Sequence, residues 1–80
     1  MPEAARKPDV GGAIRALRKE KGWSQSELAR RAKLTPATVS RIESGARDGD
    51  IETLVLIAAG LGLALYLLIK RAEGFGVRFQ

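Results

Sequence analysis

Apolar positions return every three or four residues through most of the chain and then crowd together towards its end. From Val10 to Lys21, the residues Val10, Ile14 and Leu17 share one helical face, while Arg15, Arg18, Lys19 and Lys21 face elsewhere. Gly22 is a natural stop for this helix. In "SQSELARRA", Ser24 caps a second helix and Glu27 completes a capping box, with Leu28, Ala29 and Ala32 facing inward. After the step Lys33–Leu34, "TPATVSRIESG" predicts a third helix. Thr35 is its cap, Pro36 sits where a missing N–H costs nothing, Val39 and Ile42 point inward, and Gly45 closes it. "DIETLVLIAAG" predicts a fourth, capped by Asp50, with a buried stripe through Leu54, Ile57, Ala58 and Leu61 and stops at Gly60 and Gly62.

The crowded stretch is "LVLIAAGLGLALYLLI", residues 54–69, which carries no charge. As one helix it spans about 24 Å, short of the roughly 30 Å hydrocarbon core of a bilayer. Two glycines also interrupt its middle, so a membrane span flanked by Lys70 and Arg71 is the weaker reading. The stronger one is a helix ending near Gly60, followed by a strand over 63–70. Leu63, Leu65, Leu67 and Ile69 then share one face, and Ala64, Tyr66 and Leu68 the other. The segment "AEG" supplies a turn, and the alternation of Phe75, Val77 and Phe79 leaves room for a second short strand over 75–79. Both faces of the first strand are apolar. A chain of this size cannot cover both, which predicts a two-fold homodimer with Leu63, Leu65, Tyr66, Leu67 and Ile69 in its seam.

Charge narrows the partner. Fourteen Lys/Arg against nine Asp/Glu give a net charge of +5 and a sequence pI near 10.3, which suits a polyanion, although solubility alone explains it equally well. With neither Cys nor His, the usual zinc sites and the Cys–His and Ser–His nucleophile pairs are excluded. No enzyme activity, metal or cofactor is expected. The opening "MPEAARKPDV" lacks the apolar stretch of a signal peptide and reads as a polar tail over 1–9, so the expected location is cytoplasmic.

Two short helices joined by a tight turn, with small Ala29 at their crossing, make a helix-turn-helix. Val39 and Ile42 bury the back of the second helix and leave its front free for a DNA major groove, about 12 Å wide. Here the residues carry a family likeness. "IRALRKEKGWSQSELARRAKLTPATVSRIESG" resembles the DNA-binding domain of lambda-type repressors and Xre-family regulators over about residues 10–61. "IETLVLIAAGLGLALYLL" is similar to the end of HipB-type antitoxins, in which a dimer-forming strand follows the last helix. The fold expected is therefore mainly α: a four-helix, lambda-repressor-like domain over 10–62, then a dimerisation strand region over 63–80. Lys33 departs from the family pattern, which usually has Gly in that turn.

The resemblance implies roles for named residues. Arg41, Pro36 and Ala37 match positions that face base edges. A guanidinium such as that of Arg41 can grip guanine O6 and N7, or can simply meet phosphate or solvent. Pro36 and Ala37 offer at most contact with a thymine methyl, and Thr38 and Ser40 reach either base or phosphate. Gln25 matches a residue that clasps the DNA backbone, beside Ser24 at the positive end of a helix dipole. Thr35, Ser44 and Arg47 join this phosphate-binding set, with Ala46 in the same loop, whereas Arg30, Arg31 and Lys33 are contacts or a solvated face. Arg18 and Glu43 match an ion pair between the first and third helices. Trp23 reads as a packing residue, with base stacking as the alternative. The function implied is a dimeric, sequence-specific repressor acting on a palindromic operator in double-stranded DNA. The HipB-like tail adds an autoregulatory antitoxin whose partner is a HipA-like kinase toxin. A stand-alone Xre-type repressor, an interaction module without DNA binding and a membrane-anchored regulator are the alternatives.

Overall fold

The structure is a computed structural model and describes residues 9–46 and 50–76. Its helices are α1 (Val10–Glu20), α2 (Gln25–Ala32), α3 (Pro36–Ser44), α4 (Ile51–Gly60) and α5 (Leu65–Gly76). Four of them begin on a short polar side chain whose oxygen accepts a first-turn N–H. Asp9 takes Gly12 N, Ser24 takes Glu27 N, Thr35 takes Thr38 N and Asp50 takes Thr53 N. The capping box at Ser24 is only half made. Its return bond is replaced, because the Glu27 carboxylate turns instead to Arg30 and Arg31.

The helix ends share one device. At Gly22, Lys33 and Gly62 the backbone turns left-handed, with φ of 73°, 61° and 82°. The next amide in each case reaches back five residues: Trp23 N to Arg18 O, Leu34 N to Ala29 O, Leu63 N to Ala58 O. This is the Schellman arrangement, and it asks for an apolar residue just past the turn. Trp23, Leu34 and Leu63 fill that role, each half-buried against the core. Lys33 does the work of a glycine here and bears the strain of a side chain at positive φ.

The core is built from Ile14 and Leu17 of α1, Leu28 of α2, Val39 and Ile42 of α3, Ile57 of α4, Leu61 just beyond it, and Leu68 of α5. Alanines 13, 29, 32, 58 and 72 lie between them and let the helices approach closely. The closest approach is at Gly11. A Cβ there would stand 2.3 Å from the Ile42 carbonyl oxygen and 2.8 Å from that of Glu43, so only glycine fits between α1 and the end of α3.

Of the strand expected over 63–70, residues 65–70 are helical and 63–64 lie in the connection before them, and among the described residues there is no strand. The reason lies in the spacing and residue types. Leu65, Leu68 and Ala72 recur at intervals of three and four, a helical stripe on α5, which packs onto α1 and α4. Ile69 is the single β-branched residue between Leu65 and Glu73, and all the others except Tyr66 are good helix formers. Tyr66 and Leu67 on the outer side hid this stripe by making the segment apolar all round. The strand faces assigned to Leu63, Leu65, Leu67 and Ile69 therefore do not exist as such. Of the possible second strand, Phe75 and Gly76 end α5, and 77–79 lie outside the described residues. Asp9 N also donates to Ala72 O (3.2 Å), tying the start of α1 to α5. No single helix among the described residues is long and apolar enough to cross a membrane; α4 and α5 together have the composition, but they are bent by 95° at their break.

Candidate nucleic-acid interface

The α2–turn–α3 unit presents α3 with two unlike sides. Val39, Ile42 and Glu43 are buried at its back, and Pro36, Ala37, Ser40 and Arg41 are exposed at its front, with Thr38 half-buried. A period of 3.6 residues sorts them in this way once Val39 and Ile42 go inward. The Arg41 side chain has no hydrogen bond or ion pair among the described residues, so its guanidinium is available to a partner. Thr38 is less free. Its hydroxyl lies 2.9 Å from that of Thr35, whose oxygen also accepts the Thr38 amide.

Behind the front lies a buried ion pair that joins three helices. Arg18 Nε donates to Glu43 Oε2 (2.7 Å) and Arg18 Nη2 to Glu43 Oε1 (2.9 Å), a two-pronged fit of fork to carboxylate. Arg18 Nη1 donates to the Trp23 carbonyl at 2.8 Å, and Gln25 Nε2 donates to Glu43 Oε1 at 3.1 Å. The side chains of the pair are 9% and 3% exposed. Hydrogen bonding to Glu43 raises the pKa of Arg18 above its already high ordinary value, against the opposing effect of burial. One guanidinium therefore holds α1, the α1–α2 connection and α3 together, and Glu43 passes the grip on to α2.

The other cations divide into committed and uncommitted groups. Arg30 and Arg31 both pair with Glu27, and Arg31 also lies over the Trp23 ring at 4.1 Å, with Lys21 at 5.3 Å. The hydrogen bond from Arg30 is the first cause holding the Glu27 carboxyl below its ordinary range. Trp23 is thus half-buried and already attended by cations, which fits a packing role between the first two helices. Ser24 keeps a hydroxyl proton to donate after its oxygen accepts Glu27 N (3.0 Å). Ser44 is occupied locally, donating to Arg41 O and accepting from Ala46 N. Arg47 lies outside the described residues.

On the far side, α4 and α5 carry large apolar side chains in the open. Ile51 is 70% and Tyr66 65% exposed, and Val55, Leu56 and Leu67 join them. Of the five residues assigned to a dimer seam, only Tyr66 and Leu67 are exposed; Leu63 and Leu65 lean onto the chain's own core and Ile69 is half-buried. Sequence reasoning missed Gly11, whose signal was two adjacent glycines inside a helical pattern. It also missed Ile51, Val55 and Leu56, which continue the apolar surface along α4.

Comparison with known proteins gives a consistent answer. The helix-turn-helix family model matches residues 14–68. Antitoxin HipB of Escherichia coli is 31% identical over 58 residues, which cover 72% of this chain and 62% of HipB; the chain thus spans about three fifths of that relative's length. Among solved structures, the clp gene regulator ClgR of Corynebacterium glutamicum superposes with a TM-score of 0.77 at 28% identity, covering 85% of this chain and 88% of that one. The master regulator for biofilm formation SinR, solved in complex with DNA, gives 0.68 at 35% identity, covering 74% of this chain and 95% of its own.

Proposed function

The chain belongs to the helix-turn-helix family of Xre-type regulators, and on that premise we propose that it is a transcriptional repressor that binds a palindromic DNA operator as a homodimer. The observation that carries this reading is the two-sided α3: its back is locked by Glu43, and its front offers an exposed Arg41, whose side chain is unpaired among the described residues, beside exposed Ala37 and Ser40. Arg41 reads a guanine edge, Thr38 and Ser40 reach neighbouring bases, and Pro36 and Ala37 pack against thymine methyls. Ser24, Gln25 and Thr35 hold the flanking phosphates, and Ser44 joins them once its hydroxyl releases the Arg41 carbonyl. Side chains that donate hydrogen bonds are few at this front, so DNA shape supplies part of the selectivity.

A second copy covers Ile51, Val55, Leu56, Tyr66 and Leu67, which sets two α3 helices along one duplex. This seam is made of helices, not of the paired strands that the sequence pattern suggested.

A mobility-shift series tests the proposal. Binding to a selected operator should survive competitor DNA and fall with salt by several log–log units. Arg41→Ala should weaken cognate binding by about 1–3 kcal/mol and relax one base position; an equal loss on random DNA would remove Arg41 from base reading. Light scattering of the wild type should give a dimer.

The identity with HipB favours one refinement, an antitoxin that also restrains a HipA-like kinase toxin. The absence of a strand among the described residues takes away the tail feature that first suggested it. Co-expression with a kinase encoded beside it should then rescue growth, and no rescue leaves the stand-alone repressor.

A further inference from the structure

We infer that Glu43 is the positioning residue for Gln25: by taking one hydrogen of the Gln25 amide, it turns the other towards the DNA backbone. This rests on the DNA-binding reading above and deepens it. An ionised carboxylate only accepts hydrogen bonds. The Gln25 atom facing Glu43 Oε1 at 3.1 Å is therefore Nε2, and the usual ambiguity of an amide's two ends disappears. Glu43 is itself immobile, because Arg18 grips both of its oxygens at 2.7 and 2.9 Å.

The same guanidinium holds the backbone that carries Gln25, through the Trp23 carbonyl at 2.8 Å. Backbone and side chain of this segment are thus fixed from one point. Gln25 is the first residue of α2, half-buried, beside the Ser24 hydroxyl and at the positive end of the helix dipole. An amide nitrogen has two hydrogens. With one bound to Glu43, the other is free to donate to a phosphate oxygen at that helix end, and no side-chain rotation has to be frozen when DNA arrives. A carboxylate at the back of the base-reading helix so sets the phosphate clamp on its neighbour.

The test uses a fluorescein-labelled duplex selected by the wild type from a random pool, with affinity measured over a salt series. Gln25→Ala should weaken binding by about tenfold on cognate and random duplexes alike, with the salt slope unchanged because the amide carries no charge. The pair Arg18→Met/Glu43→Met, which leaves no charge buried alone, should weaken it by the same factor, and adding Gln25→Ala to that background should change nothing further. Wild-type affinity in the folded pair variant, or a full Gln25→Ala effect within it, overturns the inference. If the pair variant does not fold, the wild type decides by nitrogen-edited NMR. One Gln25 side-chain amide proton displaced from the ordinary glutamine position and slow to exchange with water, with the other shifting on duplex addition, supports the inference; two protons at ordinary positions that do not respond to the duplex overturn it. A wild type that retains no duplex at all overturns the DNA reading as well, and is recognisable as that separate failure.

Discussion

Removing the Glu43 side chain should nearly unfold the domain, whereas removing its partner with it should not. Glu43→Ala leaves a guanidinium that is 9% exposed with one remaining acceptor, the Trp23 carbonyl, in place of the two carboxylate oxygens at 2.7 and 2.9 Å. It also strands the Gln25 amide, whose bond to Glu43 is 3.1 Å. Breaking a buried pair on one side costs about 3–5 kcal/mol, chiefly because a charge is left desolvated. A domain of this length has roughly 4–12 kcal/mol in total. At about 4–8 °C per kcal/mol, the melting temperature should fall by about 12–40 °C. Arg18→Met/Glu43→Met removes both charges and both desolvation penalties, and should lie within about 1 kcal/mol of the wild type. Thermal and urea unfolding followed by circular dichroism measure both. A Glu43→Ala variant within about 1 kcal/mol of the wild type is the behaviour of a solvated surface pair and would refute the reasoning.

Three further outcomes follow from single positions. Lys33→Gly should stabilise by about 1 kcal/mol in urea unfolding, since φ of 61° is strained for a side chain and natural for glycine. Gly11→Ala should destabilise by about 3 kcal/mol or more, because its methyl meets two backbone carbonyls that cannot step aside; a change below 1 kcal/mol would mean that α1 and α3 are not so closely apposed. Glu27→Gln concerns pH. The folded carboxyl lies below its ordinary value of 4.5, so its contribution is complete above that value and is lost as the pH falls through the lowered one. The small melting difference between Glu27→Gln and the wild type should therefore hold at neutral pH and vanish in acid, and a difference that grows in acid would reverse the sign.

The first four helices were legible because local chemistry and period agree in them. Ser24, Thr35 and Asp50 each sit immediately before the first residue of a helix, and Gly22 and Gly45 close two of the helices, so cap, stripe and stop point to one answer. The two-sided α3 followed from Val39 and Ile42 alone, and the Arg18–Glu43 contact was named from family likeness rather than from any local rule. Arg18 belongs to a charge run and gives no sign in the sequence of being buried.

What the sequence determined by itself was the set of helix starts and stops, because a cap, a proline or a left-handed turn is decided within four or five residues. The tertiary structure decided the rest. Residues 65–69 are all apolar, which masks the helical spacing of Leu65, Leu68 and Ala72, and packing made the choice: Leu68 and Ala72 are buried as one face of a helix that packs on α1. Burial likewise chose which arginine became a strut and which stayed exposed. Long-range contact, not composition, removes the water from Arg18 and leaves it around Arg41.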